Sequence, residues 1–112
     1  VEIAPQQANA ERLDRAKVLA EVRVITQPRL DVPPTADTMQ RTRVVSGMLR
    51  ALLEESRGDE REAVRVMRRL GARLLDESPE GEPSPYSAWQ RLVNLARCVE
   101  ALLDAERPGR SR

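Results

Sequence analysis

Histidine is absent from the 112-residue sequence, and cysteine occurs once, at Cys98. The first absence removes imidazole acid–base catalysis and histidine metal ligation. The second removes an internal disulfide and any cysteine-based zinc site. Cys98 also lacks the imidazole base that cysteine nucleophiles use. Phenylalanine is missing, and there is one tryptophan and one tyrosine. Any core must be built from Leu, Val, Ala, Met and Ile, which pack readily between helices. No apolar run approaches the ~20 residues of a membrane-spanning helix. No signal-peptide pattern opens the sequence, so a cytoplasmic protein without membrane contact is the expectation. The five glycines are dispersed, which leaves no phosphate-cradling loop. Charge of one sign is scarce as well: 19 basic and 18 acidic residues leave a net charge of +1. That balance argues against strong global attraction to nucleic acid or an anionic membrane. No cofactor, metal ion or catalytic residue is expected.

What is present favours helix. Leu, Ala, Glu and Arg dominate, and all are good helix formers. Charged residues make up 33% of the chain, enough to cover exposed helix faces. Lys17 is the only lysine, so nearly every basic group is a planar guanidinium suited to bidentate contacts. The length argues for one domain. Residues 1–8 are expected to form a mobile N-terminal arm, residues 9–107 a single helical bundle and residues 108–112 a tail.

Residues 84–103 carry the clearest signal. At about 100° per residue, Trp89, Leu92, Val93, Ala96, Val99 and Leu103 fall on one stripe. Ala88, Leu95 and Leu102 widen it, so this helix needs more than one neighbour. Ser84 is its expected N-cap, with Pro85 at the first helical position. Pro108-Gly109 marks its stop. Trp89 has the most area to bury.

The first helix is expected over residues 9–26, capped by Asn9. Val18, Val22 and Ile25 lie on one face; Leu13, Ala16, Ala20 and Val24 lie roughly opposite. A helix apolar on two faces is either sandwiched within its fold or shared with a second subunit. The second case gives a homodimer with Leu13, Ala16, Ala20 and Val24 as its face. A rival reading makes residues 22–26 a short strand, because β-branched residues dominate there. No partner strand is visible, which favours helix. Residues 27–35 form a linker in which Pro28, Pro33 and Pro34 block helix. It reads as a stiff crossover packed by Leu30 and Val32, or as a ligand for a proline-recognition domain.

Thr35 or Asp37 is expected to cap a second helix that ends near Arg57-Gly58, with Val45, Met48, Leu49 and Leu52 on its apolar stripe. Gly58 fits the left-handed residue that closes a helix. Asp59 is then expected to cap a third helix, with Glu62 completing a capping box. Ala63, Val66, Met67, Leu70 and Leu74 form its expected stripe, and Gly71 within it lets another helix cross closely. The short turn makes the second and third helices antiparallel neighbours. The fold class is therefore all-α: an antiparallel four-helix bundle with a Pro-rich crossover between its first two helices.

One constellation stands out as a candidate site for a partner or an anion. Arg61, Arg65, Arg69 and Arg73 recur at every fourth position, with Arg68 beside them, on the arc opposite Met67. Either this is a solvated face with local ion pairs, or it docks phosphate, nucleic acid or an acidic protein. No aromatic residues interleave the arginines, which weighs against nucleic acid. Glu100 falls near Trp89 on the helical wheel and reads as an edge residue paired with Arg97 or Arg107. Cys98 reads as a half-buried structural residue at the margin of the stripe. Asp76, Glu77, Glu80 and Glu82 lack the alternating spacing of a calcium loop. Met39, Met48, Met67 and Trp89 could line a ligand pocket in the bundle, though methionine equally fills cores.

Three segments carry a resemblance: Leu30-Asp31-Val32-Pro33-Pro34, then Leu49-Arg50 followed by Leu52-Leu53, then Leu95-Ala96-Arg97 with Ala101-Leu102-Leu103. Together they resemble a family of small helical actinobacterial proteins of unknown activity, often labelled natural-product biosynthesis accessory proteins. The resemblance spans about residues 9–107. Where that family continues Leu-Arg with Gly-His, Ala51-Leu52 stands here, so a role resting on that histidine does not transfer. The resemblance implies accessory or regulatory work near a biosynthetic pathway and supplies no catalytic residues. The expected function is thus a noncatalytic helical interaction protein with a protein partner. The alternatives are a nucleic-acid-binding regulator using the third-helix arginines and a small-molecule carrier with a pocket in its core.

Overall fold

The computed structural model describes residues 14–29, 31–77 and 81–107. Four helices and no strand occur among them: α1 (Arg15–Thr26), α2 (Thr35–Glu55), α3 (Glu62–Asp76) and α4 (Pro85–Glu106). The rival strand over residues 22–26 is thereby set aside. Asn9, Leu13, Leu30, Glu80 and the expected arm and tail lie outside the described residues.

Helix α1 starts where Asp14 Oδ1 accepts hydrogen bonds from the backbone N–H groups of Ala16 and Lys17, at 3.1 and 3.3 Å. Such a cap satisfies donors that the first turn leaves free. Val18, Val22 and Ile25 are buried as the spacing predicts. Ala16, Ala20 and Val24 face outward.

Helix α4 packs against all three other helices, most extensively against α2, whereas α2 and α3 touch each other far less. Ser84 Oγ accepts from Ser87 N at 3.1 Å, and Pro85 opens the helix as expected. Leu92, Leu95, Ala96, Val99 and Leu102 are wholly buried. Three neighbours cover a wider arc than one stripe, and the arc is shifted from the expected one. Trp89, Val93 and Leu103 are only half-buried, and Glu100 is exposed rather than close to the core. The Trp89 ring instead lies beneath the Arg29 guanidinium, 5.0 Å from its centroid, a cation–π contact.

Neither Thr35 nor Asp37 caps α2. Pro34 holds the cap position with no side-chain hydrogen bond, and Thr35 is already helical. Val45, Leu49 and Leu52 are wholly buried and Met48 is half-buried. Val32, expected to pack the crossover down, is 39% exposed.

After α2, Gly58 adopts φ +92°, the left-handed geometry expected of it. Asp59 does not cap α3, which begins three residues later with Arg61 at its cap position. The Asp59 carboxylate turns to Arg61 instead, accepting from its backbone N (3.0 Å), Nε (3.1 Å) and Nη2 (2.7 Å). A two-pronged ionised pair outcompetes neutral amides further along. These Arg61 contacts hold the Asp59 carboxyl below the usual aspartate range. A depressed carboxyl contributes stability that is present above its unfolded pKa and lost as pH falls through its folded value. Asp59→Asn should therefore lower the melting temperature at neutral pH, with the two melting curves converging in acid. A deficit that persists undiminished in acid would show that the carboxylate charge is not what matters.

Helix α3 departs most from expectation. Val64 and Gly71 are its buried residues. Met67, Leu74 and Leu75 are half-buried against the core. Val66 is 48% and Leu70 39% exposed, and Ala63 also faces outward. The reason lies at Gly71. A Cβ there would sit 3.2 Å from Leu49 Cδ1 and 3.5 Å from Cys98 Sγ. The bare glycine leaves room for side chains of both α2 and α4 to press against α3, so the helix turns Gly71 inward and carries Val66 and Leu70 out.

Arginine ties the ends together. Arg68 donates from Nη2 to Leu53 O at the end of α2 (3.1 Å). Arg91 donates from Nη2 to Leu74 O and Glu77 O at the end of α3 (3.2 and 2.7 Å). Arg61 donates from Nη2 to Glu106 O at the end of α4 (3.2 Å). Each guanidinium satisfies terminal carbonyls that have no helical partner and meets the negative end of a helix dipole. Arg15 Nη2 bridges Glu55 (2.9 Å) and Glu106 (2.8 Å), joining the start of α1 to the ends of α2 and α4.

Candidate functional site

The five arginines of the expected patch divide into two groups. Arg61 is half-buried, bound to Asp59 and to the end of α4. Arg68, expected on the outer face, is half-buried and points inward, with Nε donating to Ser56 Oγ at 3.1 Å besides its bond to Leu53 O. The wheel angle that places Arg68 beside Gly71 also places it over the end of α2. Both residues are structural ties.

Arg65, Arg69 and Arg73 remain. All three are exposed, and their side chains carry no hydrogen bond or ion pair among the described residues. At 1.5 Å rise per residue they form a line about 12 Å long. Like charges four residues apart repel by a few tenths of a kcal/mol each, and only Arg73, in the last turn, recovers some of this from the helix dipole. Val66 and Leu70 run beside that line on one flank.

On the other flank lies the space between α2 and α3. Two adjoining depressions, of about 710 and 270 Å³, share Leu53 and Ala72 in their lining. Arg50 and Arg73 border the larger and Arg65 and Arg69 the smaller. Together they form one groove with an apolar floor and a cationic rim, in which Asp76 is the acidic residue. Arg50 is the residue that sequence reasoning missed. It stands on the polar side of α2, and nothing local shows that this side rises beside α3.

Guanidinium groups stay protonated at any ordinary pH. The arrangement therefore offers positive charge and hydrogen-bond donors, not a base or a nucleophile. Cys98 adds none: it is buried, its Sγ lies 3.9 Å from Met67 O, and burial pushes its thiol pKa up. An activated thiolate requires the opposite shift.

The other expected sites fall as follows. Ala16, Ala20 and Val24 share an exposed face of α1, with Val24 38% exposed. Trp89 borders a surface cleft of about 670 Å³ whose lining includes Glu21, Arg29, Asp31, Asp37 and Arg41. Met39, Met48 and Met67 do not line it, so the imagined methionine pocket is not assembled around Trp89. Among the described residues no group of three His, Cys, Asp or Glu is placed to hold a metal ion, and no helix is long and apolar enough to cross a membrane. Comparison with protein-family models, with curated proteins and with solved structures finds no match.

Proposed function

We propose that the protein is a noncatalytic helical interaction protein that docks an acidic protein partner through α3. The observation that carries this reading is the unpaired line of Arg65, Arg69 and Arg73 beside the exposed Val66 and Leu70. Apolar groups next to unpaired charges are what a protein partner uses, since burial of one strengthens the other. The resemblance to small actinobacterial proteins implies such a role among accessory or regulatory proteins of a biosynthetic pathway; a cytoplasmic setting is part of the proposal. A homodimer through the expected face of Leu13, Ala16, Ala20 and Val24 belongs to the same proposal. So does an antiparallel course of the helices with a Pro-rich crossover between α1 and α2; the ties between Arg61 and Glu106 and between Arg91 and Leu74 support the antiparallel course for α3 and α4.

The test is a low-salt titration of the protein with labelled polyglutamate and, separately, with duplex DNA and single-stranded RNA. Polyglutamate is expected to bind, and the triple variant R65E/R69E/R73E to remain folded by circular dichroism and lose that binding. A saturable nucleic-acid shift with no polyglutamate binding would replace this reading with the nucleic-acid-binding one. Light scattering is expected to give twice the monomer mass; a monomer would remove the dimer.

A further inference from the structure

We propose that the groove between α2 and α3 seats an acidic amphipathic helix of a partner protein. Its apolar stripe would lie on Leu53 and Ala72, and its carboxylates against Arg50, Arg65, Arg69 and Arg73. This rests on the reading of α3 as a docking face and goes further in naming the occupant and the flank it uses.

Three observations support it. The groove is open because α2 and α3 pack on α4 more than on each other, while Arg68 bridges from α3 to the end of α2. Its floor is apolar where the two depressions meet, at Leu53 and Ala72. Its rim is cationic on both walls, with Arg50 on α2 and the other three arginines on α3, and none of the four is paired among the described residues. An apolar floor gains nothing from a phosphate backbone, which is solvated along its length. A helix laid in a groove offers both elements together: a stripe at i, i+3, i+4 and i+7 for the floor, and flanking side chains for the rim. Arginines at every fourth position face carboxylates repeating at the same interval on the opposing helix. Each guanidinium fork can then take a carboxylate in bidentate fashion.

The experiment measures binding of a fluorescein-labelled designed helical peptide, with Leu at the stripe positions and Glu on both flanks, by fluorescence anisotropy. Two controls carry the same charge: a peptide with every Leu replaced by Gln, and a duplex DNA. Vesicles of anionic phospholipid form a third arm. The expected result is saturable binding of the amphipathic peptide. It should weaken about tenfold in Arg50→Glu and in Ala72→Trp, which fills the floor without altering charge. It should also weaken with added salt. Circular dichroism of each variant checks that the fold is kept. Equal binding of the Leu-to-Gln peptide, DNA or vesicles overturns the proposal, as does an amphipathic peptide that fails to bind. Should binding fall in R65E/R69E/R73E and in Val66→Glu yet survive Arg50→Glu and Ala72→Trp, the groove is refuted while α3 remains a docking face. Binding unaffected by any of the arginine changes removes both readings.

Discussion

Leu49→Ala is expected to lower the free energy of unfolding by about 2–5 kcal/mol, the range for deleting a buried leucine side chain. Leu49 is wholly buried, and its Cδ1 stands against Gly71 of α3. The cost depends on how far neighbours can relax into the space. Here one neighbour is a glycine without a side chain to swing in, and the residue sits in a core cluster of buried side chains. The loss should therefore fall in the upper part of that range. Val66→Ala makes the matching control. The hydropathy pattern places Val66 in the core of α3, but it is 48% exposed, so its truncation should change stability by about 0.5 kcal/mol or less. Urea unfolding followed by circular dichroism reads both, with the slope against denaturant unchanged if only the native state is affected. Losses of equal size in the two variants would mean that α3 is rotated from the orientation described.

Arg68→Ala should cost about 1–3 kcal/mol, whereas Arg69→Ala should cost about 0.5 kcal/mol or less. The two residues are adjacent and chemically identical, so the difference isolates position. Arg68 supplies Nε to Ser56 Oγ and Nη2 to Leu53 O, and both acceptors lie where α2 has run out of its own donors. Ser56 is 5% exposed, so water replaces the lost bond poorly. Arg68→Lys should recover little, because a single ammonium cannot present two nitrogens in the geometry of the fork. Thermal melts of the three variants decide the matter. A neutral Arg68→Ala would return this residue to the solvated face where the wheel first puts it.

Much of α4 was legible from residue order alone. Ser84, Pro85 and the Leu92–Val99 spacing are local features, and a local pattern needs no knowledge of neighbours. The turn at Gly58 was legible for the same reason. Helix α3 was not. It carries two overlapping apolar stripes, one through Ala63, Val66 and Leu70 and one through Val64, Gly71 and Leu75. Hydropathy favours the first because glycine contributes nothing to a count of apolar atoms. Packing favours the second because glycine leaves room for the side chains of two other helices. The same limit hid the arginine ties. A guanidinium on a long stem reaches an acceptor 15 residues away in sequence, from Arg68 to Leu53, and only the tertiary arrangement says which carbonyl is within range. The candidate site was legible in part: the line through Arg65, Arg69 and Arg73 was visible, but the groove and Arg50 required two helices to be placed side by side.

The central position of α4 bears on how the chain is made. The three helices that leave the ribosome before it find little to hold each other with, since the surfaces they share are mostly its own. Without α4, Val22, Leu49 and Val64 are expected to lose much of the cover that buries them in the complete fold. Condensation is expected once the stretch through Leu102 is available to them, since α4 makes most of the contacts between helices. Premature termination inside α4 would for that reason leave a product destined for proteolysis rather than a smaller folded domain.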